Sequence, residues 1–167
     1  PYVMRQADGS VDGYVIDLWQ LWERKTGVHV EFVASDWAGA QRTMAAGRAD
    51  VIETIFRTAE REKALDFLPP YADLPVPIYV HRDIGGITDA ASLHGFVVAA
   101  KAGDACIEHL RAAGVSNVMA YPSYEAIVDA ARAGEVRIFC IDEPPANYLL
   151  YRAGASRDFR KAFVLYQ

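Results

Sequence analysis

The sequence has little that would carry catalysis, nucleic-acid binding or a membrane span. No apolar run approaches the about 18 residues needed to cross a bilayer. Acidic residues outnumber basic ones, 22 to 17, for a formal charge of −5, and no basic stripe offers a surface for tracking phosphates. The four histidines, His29, His81, His94 and His109, are too scattered for a metal-ligand pair, so no metal and no cofactor are expected. G-x-S-x-G, the P-loop and G-x-G-x-x-G are all missing. The first residues, Pro1-Tyr2-Val3, lack the basic start and apolar stretch of a secretory leader. Cysteine is scarce too: Cys106 and Cys140 allow at most one disulfide, with two small buried apolar side chains as the alternative. Export would favour the oxidised pair.

What is present alternates between two periods. Val15, Leu18, Trp19 and Trp22 recur at helical spacing and Gly27 follows as a stop. Val28, Val30 and Phe32 alternate with polar neighbours and predict a strand; a helix over 38–46 and a buried strand over 49–52 follow. A short helix is expected over 59–64, then a strand-like stretch from Pro75 to His81. Further on, the pattern predicts a strand over 96–100, a helix over 104–113 stopped by Gly114, and a short strand over 118–120. A helix capped by Ser123 and ended by Gly134 comes next, then a strand over 136–141. Pro144 suits the first turn of a last helix reaching Arg152.

Strand, helix, strand with short crossovers implies a parallel α/β sheet. The order Ser35-Asp36-Trp37, helix, Ala46-Gly47, strand is echoed by Ser123-Tyr124-Glu125, helix, Ala133-Gly134, strand. Two such units predict two lobes, lobe 1 over residues 1–80 and lobe 2 over 81–167, with a crossing near 79–84 before Gly85-Gly86. Ligands of open parallel sheets sit at the carboxyl ends of the strands.

Six segments resemble the family 3 solute-binding proteins of polar amino-acid type. They are Gly13-Tyr14-Val15-Ile16-Asp17-Leu18, Ser35-Asp36-Trp37, Gly47-Arg48-Ala49-Asp50-Val51-Ile52, Thr58 to Phe67, Lys101-Ala102-Gly103-Asp104 and Asp142-Glu143-Pro144. The resemblance implies a periplasmic binding protein type II-like fold, two α/β lobes joined by a hinge, with the chain stopping before its return to lobe 1. It implies that Arg61 grips a ligand carboxylate, a task suited to a planar fork of donors; pairing with Glu60 or Asp66 is the structural alternative. It implies that Asp142 receives the ligand ammonium, the alternative being a cap for the helix after it. Trp37 would cover the ligand side chain, with possible cation–π attraction of about 0.5–2 kcal/mol, unless it is a core tryptophan. Tyr2 and Tyr14 are weaker candidates, better placed in the core.

Departures from the family pattern fall at Glu53 and Phe56, beside a fitting Thr54, and at Gly103-Asp104, where a carboxylate replaces the usual hydroxyl. Asp104 is then either a helix cap or part of a pocket more acidic than usual, shared with Glu53 and Asp142. Such a pocket favours an extra cationic group, so "small polar molecule" is a firmer expectation than "amino acid". Residues 54–58 and 101–105 look similar to sensor domains fused to diguanylate cyclases or histidine kinases. The expectation is therefore a non-enzymatic periplasmic ligand-sensing domain binding a small polar ligand, an amino acid or amine. It is tethered to a membrane through segments outside these residues, with dimerisation an option in the full receptor and no nucleic-acid partner. A free carrier of an ABC amino-acid transporter is the alternative, and a cyclohexadienyl dehydratase using Glu53 or Asp104 a more distant one.

Overall fold

A computed structural model of the chain describes residues 2–6 and 8–167. The chain divides into two compact units, Pro1–Ile55 and Phe56–Gln167. Among the described residues, no helix is long and apolar enough to cross a membrane.

The first unit holds a short antiparallel pair, β1 (Met4–Arg5) and β2 (Val11–Asp12), then helices α1 (Tyr14–Thr26) and α2 (Trp37–Ala45). Helix α1 ends as predicted at Gly27, whose φ of 73° only glycine adopts cheaply and whose N–H bonds back to the Glu23 carbonyl. Asp36 opens α2 by accepting from the Gly39 N–H. Of the apolar stripe on α1, Val15 and Ile16 are buried, while Leu18 and Trp22 stay exposed. Tyr14, expected in the core, is also exposed.

The strands predicted over 28–32 and 49–52 do not form. A strand exists only through a neighbour's hydrogen bonds. No described residue pairs with these segments, and Val28, Phe32, Val33 and Val51 lie exposed. The echo between the two halves therefore reaches the helix but not the strand.

In the second unit a five-stranded sheet runs in the order β5-β4-β6-β3-β7. Its strands are β3 (Val76–His81), β4 (Val98–Lys101), β5 (Val118–Tyr121), β6 (Ile138–Cys140) and β7 (Phe159–Tyr166). Helix α3 (Ala105–Ala112) links β4 to β5, α4 (Tyr124–Arg132) links β5 to β6, and α5 (Glu143–Arg152) follows β6. Strands β4, β5 and β6 are parallel, as their crossover helices require; β3 joins β6 and β7 antiparallel.

Both faces of this sheet are covered. Val76, Ile78, Val80, Val98, Ala100, Ile138 and Cys140 pack on one side with Leu110 of α3. Tyr79, Ala99 and Phe139 alternate to the other side and meet Ile127 and Val128 of α4 and Leu150 of α5. Period two thus sorts one short strand into two cores, which is why β3, β4 and β6 read as continuous apolar runs. Pro77 sits where the β3–β7 register shifts, a break that accommodates its missing N–H. Strand β7 was not predicted: its partner β3 lies far back in the chain, and a short apolar run such as that over 162–166 does not by itself tell a strand from a helix.

The two cysteines form a disulfide joining α3 to β6, with Cα atoms 6.5 Å apart and both side chains buried.

Candidate ligand-binding site

At the carboxyl ends of the parallel strands of the second unit, ionisable side chains converge. Lys101 ends β4, Tyr124 opens α4 after β5, and Asp142 follows β6 by two residues. Tyr166, at the end of β7, and Arg61, on a short 3-10 turn (Arg61–Lys63), complete the group.

Asp104 is the hub. It occupies the N-cap of α3, and its Oδ1 accepts from the Cys106 N–H at 3.1 Å and from the Tyr166 hydroxyl at 3.4 Å. Its Oδ2 accepts from the Tyr124 hydroxyl at 2.7 Å and lies 3.4 Å from Lys101 Nζ. The capping role expected of Asp104 is present, and the same carboxylate holds the two tyrosines and Lys101. Lys101 Nζ also stands 3.8 Å over the Tyr124 ring. Burial above all, then the Asp104 and Asp142 carboxylates, push both Tyr124 and Tyr166 hydroxyls up in pKa, so they remain neutral donors.

Asp142 has the opposite standing. It takes the N-cap position of α5, yet its side chain makes no cap bond, and Oδ1 is buried with no hydrogen-bond partner. The local sequence explains this. A capping carboxylate accepts from the second or third N–H of its helix, and those positions are Pro144 and Pro145, which have none. The first helical N–H, of Glu143, is spent on the Pro75 carbonyl at 3.0 Å. Burial first, then the Asp104 charge, push the Asp142 carboxyl up to about 6, against the opposing pull of Lys101 and a hydrogen bond from Tyr124. Tyr124 has a single proton for two carboxylates, and the 2.7 Å contact gives it to Asp104.

Arg61 is buried, 8% exposed. Its Nη1 donates to the Phe56 carbonyl at 2.8 Å and its Nη2 to the Gly103 carbonyl at 3.0 Å, with Nε 3.9 Å from Glu108 Oε1. The side chain thereby ties the segment at Phe56 to the turn before α3. The Phe56 ring meets Tyr166 edge-on at 5.2 Å, and Tyr166 also stacks on His109 at 3.9 Å.

Of the residues singled out in the sequence, Arg61, Phe56, Gly103, Asp104 and Asp142 lie in this unit. Trp37, Glu53 and Thr54 lie in the first: Trp37 begins α2, Glu53 accepts from the Trp19 indole N–H at 3.2 Å, and Thr54 takes a left-handed φ of 55°. Sequence reasoning missed Tyr124 and Tyr166 as members of the cluster. Tyr124 had a usable signal, since it directly follows a helix cap at a strand's carboxyl end; Tyr166 had none once β7 went unseen.

A doubly covered α/β sheet with its polar cluster at the strands' carboxyl ends is the architecture of a periplasmic-binding-protein-like domain. The solved structures agree on this fold. A histidine kinase sensor domain with similarity to periplasmic binding proteins superposes with a TM-score of 0.90 at 21% identity, over all of this chain and 73% of that one. An ancestral arginine-binding protein bound to arginine gives 0.83 at 23% identity, over 99% and 77%. An amino acid ABC transporter substrate-binding protein from Streptococcus pneumoniae, bound to L-arginine, gives 0.79 at 24% identity, over 100% and 71%. A search of curated proteins finds no match. Residues 1–162 match the bacterial extracellular solute-binding proteins, family 3, and the chain belongs to that family.

Proposed function

We propose that the chain is an extracytoplasmic domain that binds a small polar metabolite through its ammonium group, an amino acid or a relative of one, and reports it to a membrane signalling protein. The observation that carries the binding half is the Asp142 oxygen, buried and without a partner at a helix start whose prolines withhold the N–H groups it would otherwise take. An unsatisfied buried carboxylate oxygen costs about 1–3 kcal/mol or more, a deficit that an ammonium donor removes. The family resemblance assigns the ligand ammonium to this position beyond β6, and the structurally similar proteins bound to arginine are consistent with such a ligand.

Calorimetric titration with the common amino acids and small amines tests this reading. At least one ligand is expected to bind, and Asp142→Asn is expected to weaken it by about 2–5 kcal/mol, the scale for truncating one side of a buried charged contact. Unchanged affinity in that variant removes the assignment.

The sensing half rests on the similarity of residues 54–58 and 101–105 to sensor domains and on the fold shared with a kinase sensor domain. A transport carrier is the second reading, favoured by the transporter-associated structure of the same fold. Osmotic shock of the native cells separates them: a sensor stays with the membrane fraction, a carrier is released.

A further inference from the structure

Resting on the reading of Asp142 as the ammonium receptor, we propose that Tyr124 is a positioning residue for the ligand. Its hydroxyl lies between Asp104 and Asp142 and holds Asp142 in the charged form that an ammonium needs, without touching the ligand itself. The ring is fixed from several sides. Tyr124 is the first residue of α4, directly after Ser123, whose hydroxyl oxygen caps the helix by accepting from the Ala126 N–H at 3.1 Å. Lys101 Nζ stands 3.8 Å over its face. The hydroxyl donates to Asp104 Oδ2 at 2.7 Å and has Asp142 within hydrogen-bonding reach as well. With the ring held, turning about the C–O bond is the freedom left to the proton, and it serves one carboxylate at a time.

The two acids depend on that proton unequally. Asp104 accepts on both oxygens, from the Cys106 N–H and the Tyr166 hydroxyl on Oδ1 and from Tyr124 on Oδ2, which also faces Lys101 at 3.4 Å. Asp142 has no such reserve, since its Oδ1 is unpartnered and Pro144 and Pro145 withhold the N–H groups of its helix. Each neighbouring element bears on its charge. Burial and Asp104 of α3 oppose ionisation, while Lys101 of β4, Tyr124 of α4 and the Asp142 backbone N–H favour it. Tyr166 of β7 stays neutral and gives its proton to Asp104, and Glu143, next along α5, is paired with Lys161 at 2.6 Å. Without the Tyr124 hydroxyl, Asp142 keeps its own N–H and Lys101, which is itself paired with Asp104.

The test compares the whole chain with Tyr124→Phe, which keeps the ring under Lys101, and with Tyr166→Phe, which removes the other phenol on Asp104. Carboxyl-carbon NMR of aspartate-labelled protein, without ligand, follows the Asp142 resonance across pH, assigned by its loss in Asp142→Asn. Tyr124→Phe is expected to raise the Asp142 midpoint by about half a pH unit or more, and Tyr166→Phe to move it by less than half as much. Calorimetry with the common amino acids and small amines reads the consequence. A ligand of the wild type should bind Tyr124→Phe about threefold to tenfold more weakly at pH 5 and within about twofold of wild type at pH 8. An Asp142 midpoint unmoved in Tyr124→Phe, or moved equally in Tyr166→Phe, overturns the inference and leaves the ammonium reading standing. Affinity lost by the same factor at both pH values overturns it too, since packing or direct contact would act so. Binding by none of these compounds, or equal binding by wild type and Asp142→Asn, overturns the ammonium reading and with it the part of Tyr124 in binding.

Discussion

Asp142 titrates near 6 when folded, against an ordinary value of 3.8. Between those values the folded state binds more protons than the unfolded one, so stability falls as pH rises from about 4 to about 6 and stays lowered above that, by no more than about 3 kcal/mol. Urea titration across that range is expected to show the decline, and Asp142→Asn to flatten it and raise stability at pH 7.5. An amine ligand selects the ionised form, so its affinity should increase as pH rises toward about 6 and level off beyond, read by calorimetry at several pH values. Pro145→Ala offers a check from the other side. It returns an N–H to the first turn of α5, which can cap Asp142; stability should rise by about 0.5–2 kcal/mol and amine affinity should drop. Asp104→Ala should do the reverse to the fold. It removes the cap of α3 and the acceptor of the Tyr166 hydroxyl, leaving Tyr124 to Asp142 alone, for a loss of about 1–3 kcal/mol in chemical denaturation.

Among the elements, those bounded by local chemistry were legible. Ser123 caps α4 by accepting from the Ala126 N–H, Asp104 caps α3, and glycines at 114 and 134 follow these helices with positive φ. Such signals act within a turn, and sequence reading places their elements to within a residue or two. Pairing across the chain was not legible. Strand β7 depends on a β3 ladder, and the alternating segment at 28–32 lacks any ladder at all among the described residues. The site divided in the same way. Arg61, Asp104 and Asp142 stood out through the family resemblance, whereas Tyr124, which serves both acids, and Tyr166, which bonds Asp104, come from α4 and from the unpredicted β7. The disulfide was one of two open alternatives, because two cysteines alone cannot say whether their Cα atoms approach. It closes a 34-residue separation between α3 and β6. Chain entropy assigns such a link about 4 kcal/mol, and replacing both cysteines by alanine should lower stability by about 2–4 kcal/mol in urea denaturation.

On the scale of the whole molecule, stability is unevenly shared. Among the described residues, Val15 and Ile16 are the buried apolar side chains of the first unit, while both core clusters lie in the second. Ordering each residue costs about 1–2 kcal/mol of backbone entropy, which two buried side chains cannot offset over 55 residues. A fragment of residues 56–167 is therefore expected to give a cooperative thermal transition and keep its disulfide. Residues 1–55 alone should show none, as circular dichroism would reveal. A fragment 1–55 that melts cooperatively would contradict this division.

The cystine gives the acid pair a history as well as a geometry. Cys106 follows Asp104 by two residues and Cys140 precedes Asp142 by two, so a covalent route between the carboxylates runs through the cystine and one residue on either side of it. Oxidation of the thiols ties α3 to β6 before any ligand arrives and restrains the motion of one against the other. A molecule made and held under reducing conditions would carry the same side chains on a looser frame and discriminate less well between its ligands. Binding competence, in this protein, would be conferred by the compartment it enters.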